Sequence, residues 1–325
     1  MNLLKKLAFA GAALSLSLGA VAQSGDAASF PSKTVQIVVP FPPGGSTDTI
    51  SRLIATKLSE RWKQSVVVEN RAGALGVVGQ GVVEKAPADG HTILLGITSF
   101  TYQSALRPVL DFSRTFTPVA MVGEVRQGLI VSSKVPATDL KQFVALVKAN
   151  PGKYSYGTTG AGSTAHIYGE LLNAQAGIDL VNVPYRGNAN IMTDILGDQI
   201  PAGFMDRQVI GQHIAGGKFR VLAMAGPGRT ADLANVPTFT ELGYSGFEGV
   251  AFAGYFVHNK TSPAIVQKIA NDIVQIAATP EVSNKIAEMG MGVKPVGGAE
   301  FAKLVNDGRV VWESTVKNRN IKVKD

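Results

Sequence analysis

The first third of the chain alternates β-branched runs with helical stretches, and this rhythm limits the fold more than any other feature. Residues 35–41 form a β-branched run and 42–46 a Pro-Pro-Gly-Gly-Ser turn. Residues 49–62 carry apolar side chains at helical spacing: Ile50, Leu53, Ile54 and Leu58. A second strand is expected over 66–69, a helix over 75–86 and a third strand over 92–97. Strand, helix, strand, helix, strand reads as a parallel sheet with helical crossovers. The same grammar returns later. Helices are expected over 140–149, 164–175 and 191–196, and strands over 154–157, 180–183, 202–205 and 219–225. Three amphipathic helices close the chain, at 263–278, 280–289 and 300–316. Two such α/β units in 325 residues imply two lobes, each with its own core. The chain is expected to cross between them near 124–126 and again near 223–226. That gives one lobe of 23–124 and 224–325 and another of 125–223.

Residues 1–22 stand outside this pattern. Lys5 and Lys6 make a short basic start, 7–18 an apolar run of 12 residues, and Ala20-Val21-Ala22 a small-residue cleavage site. This is the form of a secretory signal peptide removed after Ala22, and the run is too short to span a bilayer. The expected destination is the bacterial periplasm. Removal of Lys5 and Lys6 takes the net charge from +7 to +5. The basic residues form no dense patch with interleaved aromatics, so no nucleic-acid partner is expected. The chain has no cysteine, which excludes disulfides, thiolate metal sites and cysteine catalysis. Four scattered histidines give no metal motif, and no cofactor is expected.

Several loops lie between a strand and a helix, where open α/β sheets collect ligands. In 40–48, Gly44 and Gly45 permit close backbone approach, and Ser46 or Thr47 can cap the helix that follows. A helix start with free N–H groups is an anion site. Asp48 favours the helix dipole and pairs with Arg52 four residues on. Residues 157–166 repeat the design with three glycines, Ser163, Thr164 and His166. Two loops, one per lobe, could hold one anion from both sides. Loops at 70–76 and 184–188 complete the set. Enzyme motifs fail: Gly-x-Ser-x-Gly is absent, and 211–218 departs from a P-loop by an extra glycine and by Phe219 in place of Ser or Thr. Ser163 and His166 could imitate a nucleophile and base, but no carboxylate orienter is apparent.

These residues resemble the Bug family, the substrate-binding receptors of tripartite tricarboxylate transporters. The match runs through 38–48 with Arg52, Glu69-Asn70-Arg71 with Gly73, Ala74 and Gly76, and Ala88-Asp89-Gly90 with Thr92. It continues through Tyr156 to His166, 183–187, 215–223 and 236–243. Departures fall at Asn190-Ile191, Phe252 and 257–263. The resemblance implies a two-lobed periplasmic-binding-protein fold of type II, closing on a ligand between the lobes, and a function in binding rather than catalysis. It implies a small carboxylate ligand, the transporter's membrane subunits as partners, and a monomer. It places Gly45, Ser46, Thr47 and Asp48 on one side of the ligand and Gly162, Ser163, Thr164 and His166 on the other. Ala74, Leu75, Thr98, Ser99, Asn188 and Asp206 stand near the cleft. The expected ligand has one carboxylate held by neutral donors. Its second polar end would be met by Asn188, Asn190, Asp206, Arg126 or Arg207, and Phe100, Tyr102 and Phe252 would stack on an aromatic body. Terephthalate is the specific expectation, and an aliphatic diacid of four to six carbons the second. A periplasmic sensor and a serine hydrolase are the competing functions.

Overall fold

The computed structural model describes residues 27–106, 111–249 and 251–318. The leader expected over 1–22 lies outside the described residues. The elements in chain order are β1 (Val35–Val39), α1 (Ser46–Trp62), β2 (Val66–Asn70), α2 (Val77–Lys85), β3 (Thr92–Ile97), β4 (Phe116–Val125) and β5 (Gln127–Ser132). Then come α3 (Leu140–Lys148), β6 (Ser155–Thr158), α4 (Thr164–Ala176), β7 (Val181–Pro184), α5 (Asn188–Leu196), β8 (Ala202–Asp206), α6 (Arg207–His213) and β9 (Phe219–Met224). The chain closes with β10 (Ala251–His258), α7 (Pro263–Ala277), α8 (Pro280–Glu288), β11 (Gly292–Gly297) and α9 (Gly298–Asn318). Short helical turns occupy Ala74–Gly76, Thr98–Tyr102, Gln103–Leu106 and Phe112–Thr115.

These strands make two sheets. The larger runs β11-β4-β10-β3-β1-β2 and the smaller β7-β6-β8-β5-β9. The fold is the two-lobed type II architecture. Neither sheet is purely parallel, as the strand–helix rhythm alone suggests. β1 pairs in parallel with β2 and β3, but β10 runs antiparallel to β3 and β4. In the smaller sheet β6 is parallel to β7 and β8, while β5 is antiparallel to β8 and β9. The reversed strands follow passages of the chain between sheets, so no helical crossover dictates their direction.

Each sheet has its own apolar core. α7 begins with Pro263 at its first turn, where a missing N–H costs nothing, and buries Ile265, Ile269, Ile273 and Ile276 along one stripe. Each such side chain contributes roughly 2 kcal/mol on burial. The smaller sheet's core holds Tyr156, Tyr168, Phe204 and Leu129. That core also takes Ala225, Phe239 and Phe247 from the returning chain, and Trp312 and Val316 from α9. The packing thus changes allegiance near residue 250, not near 224 as the sequence pattern suggests. We propose the return crossing there, with α9 bound to both lobes: its Phe301 and Val305 pack with the larger sheet.

Candidate functional site

A cavity of about 510 Å³ lies between the ends of β1, β2 and β3 on one side and β6 and β7 on the other. The larger lobe contributes Phe41, Leu75, Ile97, Ser99, Phe100, Gln103 and Leu106. The smaller contributes residues 159–163 and Pro184. Among the described residues, none that lines the cavity carries a formal charge. Phe41 and Phe100 stack with centroids 5.9 Å apart and planes 14° from parallel, giving an apolar face.

The loop after β6 is closed by its own side chains. Ser163 is the N-cap of α4, and its Oγ accepts from the His166 N–H at 3.3 Å. His166 Nδ1 accepts from the Gly162 N–H at 2.9 Å. Burial lowers the imidazole pKa from 6.5 to about 4, so the ring is neutral. Tyr102, from the other side of the cavity, donates its hydroxyl to the Gly162 carbonyl at 3.2 Å. Gly160 and Gly162 have φ of +122° and +78°, a conformation glycine adopts freely. The N–H groups of Gly160 and Ala161 meet no protein acceptor among the described residues. With the hydroxyls of Ser99, Thr159 and Ser163, they give the cavity neutral donors. Ser163 and His166 are therefore a cap, not a nucleophile and base: Ser163 Oγ bonds the histidine's backbone, and the ring's Nδ1 accepts from Gly162 N–H, which leaves the neutral ring's proton on Nε2 and no nitrogen free to act as a base.

The loop after β1 is organised from beneath by Asp48, which is 4% exposed. Its Oδ2 accepts from Gly44 N–H at 2.9 Å and Arg52 Nε at 3.0 Å, and its Oδ1 from Asn70 Nδ2 at 2.9 Å. Burial alone would raise this carboxyl, and the bonds from Arg52, Gly44 and Asn70 outweigh it and hold it below its ordinary value. Gly45 caps α1 without any side-chain bond. The first N–H groups of α1, at Ser46, Thr47 and Asp48, have no intrahelical partner.

Of the residues expected at the site, Leu75, Ser99, Gly162 and Ser163 line the cavity. Thr164 and His166 stand behind the second loop. Gly45, Ser46 and Thr47 do not line the cavity, and Asp48 stands behind their loop, accepting from the Gly44 N–H. Thr98 is turned inward, its Oγ1 accepting from the Phe252 N–H at 2.7 Å. Ala74 belongs to the turn that carries Leu75. Asn188 and Asp206 form a separate cluster, with Asp206 accepting from Asn188 Nδ2 at 2.7 Å and Gln127 Nε2 at 2.8 Å. Burial raises the Asp206 carboxyl against these two bonds. The two arginines expected at the far end are occupied elsewhere. Arg126 pairs with Glu124 at 2.7 Å, and Arg207 with Asp232 at 2.6 Å. Tyr102 and Phe252 sit in buried cores, so only Phe100 of the expected aromatic trio faces the cavity.

Sequence patterns also missed Gln103 and Leu106, which lie beyond β3 in a stretch without a clear period. The 70–76 loop holds a further surprise. Gly73, Ala74, Leu75 and Gly76 all have positive φ: 142°, 47°, 53° and 94°. Two non-glycine residues in the left-handed region cost about 1–3 kcal/mol each. The helix expected from 75 therefore begins at Val77.

The profile of the tripartite tricarboxylate transporter family receptor, TctC, matches residues 50–321. The chain belongs to that family. Its members are solute-binding receptors and not enzymes, and they work in the periplasm. Among relatives, the receptor is 30% identical to BugT of Bordetella pertussis over the whole of both chains. A protein from the tcbD-tcbE intergenic region of Pseudomonas sp. strain P51 is 34% identical, over 97% of this chain and 94% of that one. Among solved structures, R. palustris Rpa4515 with adipate superposes with a TM-score of 0.73 at 27% identity, covering 90% of the receptor and 100% of that chain. MatC from Rhodopseudomonas palustris with bound malate gives 0.70 at 28% identity, covering 88% and 100%.

Proposed function

We propose that the receptor captures a small carboxylate in the interlobe cavity by lobe closure and hands it to the membrane subunits of a tripartite tricarboxylate transporter. The observation that carries this is the donor set of the second loop: N–H groups at Gly160 and Ala161 without a protein acceptor among the described residues, and hydroxyls at Thr159 and Ser163, in a cavity whose described lining carries no formal charge. Such a site favours an anion through preorganised neutral donors, and excludes the protein carboxylates that would repel it. The ligand's carboxylate docks against residues 159–163. Its body lies against Phe41, Leu75 and Phe100. Gly45, Ser46 and Thr47 approach from the other loop when the lobes close, completing the grip with the open N–H groups of α1. The adipate and malate relatives support a carboxylate as the ligand class.

An aromatic diacid such as terephthalate suits the stacked phenylalanines. Its second carboxylate has no arginine waiting at Arg126 or Arg207. The receptor acts as a monomer, exported and cleaved after Ala22; N-terminal sequencing of the periplasmic protein should read Gln23 first, and Met1 retained on folded protein would refute the processing. The binding test is a thermal-shift screen followed by calorimetry with adipate, malate, benzoate and terephthalate. A specific ligand raises Tm because it binds only the folded state. The best acid is then compared with its amide, or with its monoamide and diamide if it is a diacid. The acid should bind at least tenfold tighter than the uncharged amide. Equal affinity would mean that no carboxylate is read.

A further inference from the structure

Leu75 is placed at a cost that the fold does not recover. Its backbone is left-handed, the residue is 58% exposed, and it belongs to none of the buried apolar clusters. A glycine at 75 would relieve the backbone and remove the exposed apolar surface. Yet buried groups hold the turn in place. The Leu75 carbonyl accepts from Gln103 Nε2 at 3.0 Å, and Gln103 Oε1 accepts from Gln80 Nε2 at 3.0 Å. Gln80 is 0% exposed and Gln103 4%. Buried amides are retained where their bonds fix a geometry. Gln80 sits on α2 and Gln103 beyond β3, so the pair ties the segments that follow β2 and β3. Behind the turn, the Phe100 ring lies against Gly76, where a Cβ would come within 2.4 Å of it. The result is a rigid turn that presents one leucine to the cavity.

We infer that Leu75 selects the ligand by shape, and that Gln80 and Gln103 are positioning residues that hold it at the cavity wall. This rests on the carboxylate reading given above. The leucine fills space that a bulky acid would need, and gives a slender acid an apolar wall to pack on. Gln80 does not line the cavity, so its influence on ligand choice must pass through the turn.

The test is calorimetry with hexanoate and benzoate as slender acids and 2-naphthoate as the bulky one. The proteins are wild type, Leu75→Gly, Leu75→Ala, Gln80→Leu and the Leu75→Gly/Gln80→Leu double variant. The readout is the ratio of bulky to slender Kd. Leu75→Gly should lower that ratio at least tenfold while leaving the unliganded Tm equal or higher. Leu75→Ala should lower it similarly without the backbone relief, which separates side-chain size from strain. Gln80→Leu should lower it about threefold in the wild-type background and leave it unchanged in the Leu75→Gly background. An unchanged ratio in both Leu75 variants overturns the inference. A Gln80→Leu effect as large without Leu75 as with it overturns the role given to the glutamines. If none of the acids binds wild type, the carboxylate reading falls and this inference with it, a result distinct from binding with an unmoved ratio.

Discussion

At the start of α1 the cap is Gly45, and no side chain answers the first helical N–H groups. At the start of α4 the cap is Ser163, whose Oγ takes the His166 N–H, while the histidine ring takes the Gly162 N–H. The two loops share a plan of strand, glycines, hydroxyl and helix. They differ in where their order comes from. The first is held from below by an ionised carboxylate and leaves its rim open. The second is held by neutral groups, is clamped through Tyr102, and forms the cavity wall itself. Similar sequence therefore produces one loop whose helical N–H groups stay open and one whose groups are tied within the cavity wall.

Acid should separate the loops most strongly. His166 has a folded pKa of about 4 against 6.5 when unfolded. The unfolded chain binds the proton more readily, so the stability this group contributes is intact above pH 6.5 and lost as pH falls toward 4. The loss amounts to roughly 3 kcal/mol at most. Asp206 works in the opposite sense, since its raised pKa favours the native state as pH falls toward 3.8. The clean measurement is therefore the difference in urea stability between wild type and His166→Gln across pH 4 to 7. That difference should shrink as pH falls. A constant difference would mean the imidazole is not held neutral.

Asp48 marks the first loop by a lower window. Its folded pKa lies below 3.8, so its contribution is present above that value and fades only as pH falls beneath it. Asp48→Ala removes the acceptor for Gly44, Arg52 and Asn70 together. Chemical denaturation at pH 7 should show a loss of about 2 kcal/mol. A loss under about 0.5 kcal/mol would show that the loop does not depend on this carboxylate.

Ser163→Val tests the second loop's double duty as cap and cavity lining. Loss of the cap should cost about 1 kcal/mol of stability. Loss of the hydroxyl should weaken carboxylate binding about tenfold, read by calorimetry with the tightest acid of the screen. If stability falls and affinity does not, Ser163 only builds the helix.

Much of the architecture was legible because it follows from local rules. The 3.6-residue stripe of isoleucines in α7 and the β-branched runs of β1 and β3 announce themselves over a few residues. The strands β10 and β11 were not expected at all, and the antiparallel pairing of β10 with β3 and β4 depends on where the chain returns from the other lobe. The cavity was half legible for the same reason. Glycine loops at strand ends can be seen in sequence, and they led to Leu75, Gly162 and Ser163. Nothing local marks Gln103 as a cavity residue or Arg126 as occupied. Gln103 matters through a bond to a carbonyl 28 positions away, and Arg126 through a carbonyl at Gly228 and a carboxylate at Glu124. The left-handed Leu75 was hidden because a bulky residue such as leucine is rarely expected to adopt that backbone.

The smallest stability effect is expected at Gly45. Its φ of −77° is open to any residue, and a Cβ there would meet only the Pro42 carbonyl, at 4.0 Å. Gly45→Val should therefore change folding stability by no more than about 0.5 kcal/mol, the range of an ordinary surface substitution. Its effect on binding carries the information. If the α1 loop moves onto the ligand, a branched side chain at the cap blocks backbone approach, and affinity for the carboxylate that binds wild type falls several-fold while Tm without ligand stays put. If affinity is also unchanged, the open N–H groups of α1 face solvent in the bound state as well. The grip is then one-sided, made by residues 159–163, with the first loop serving only to seat Phe41.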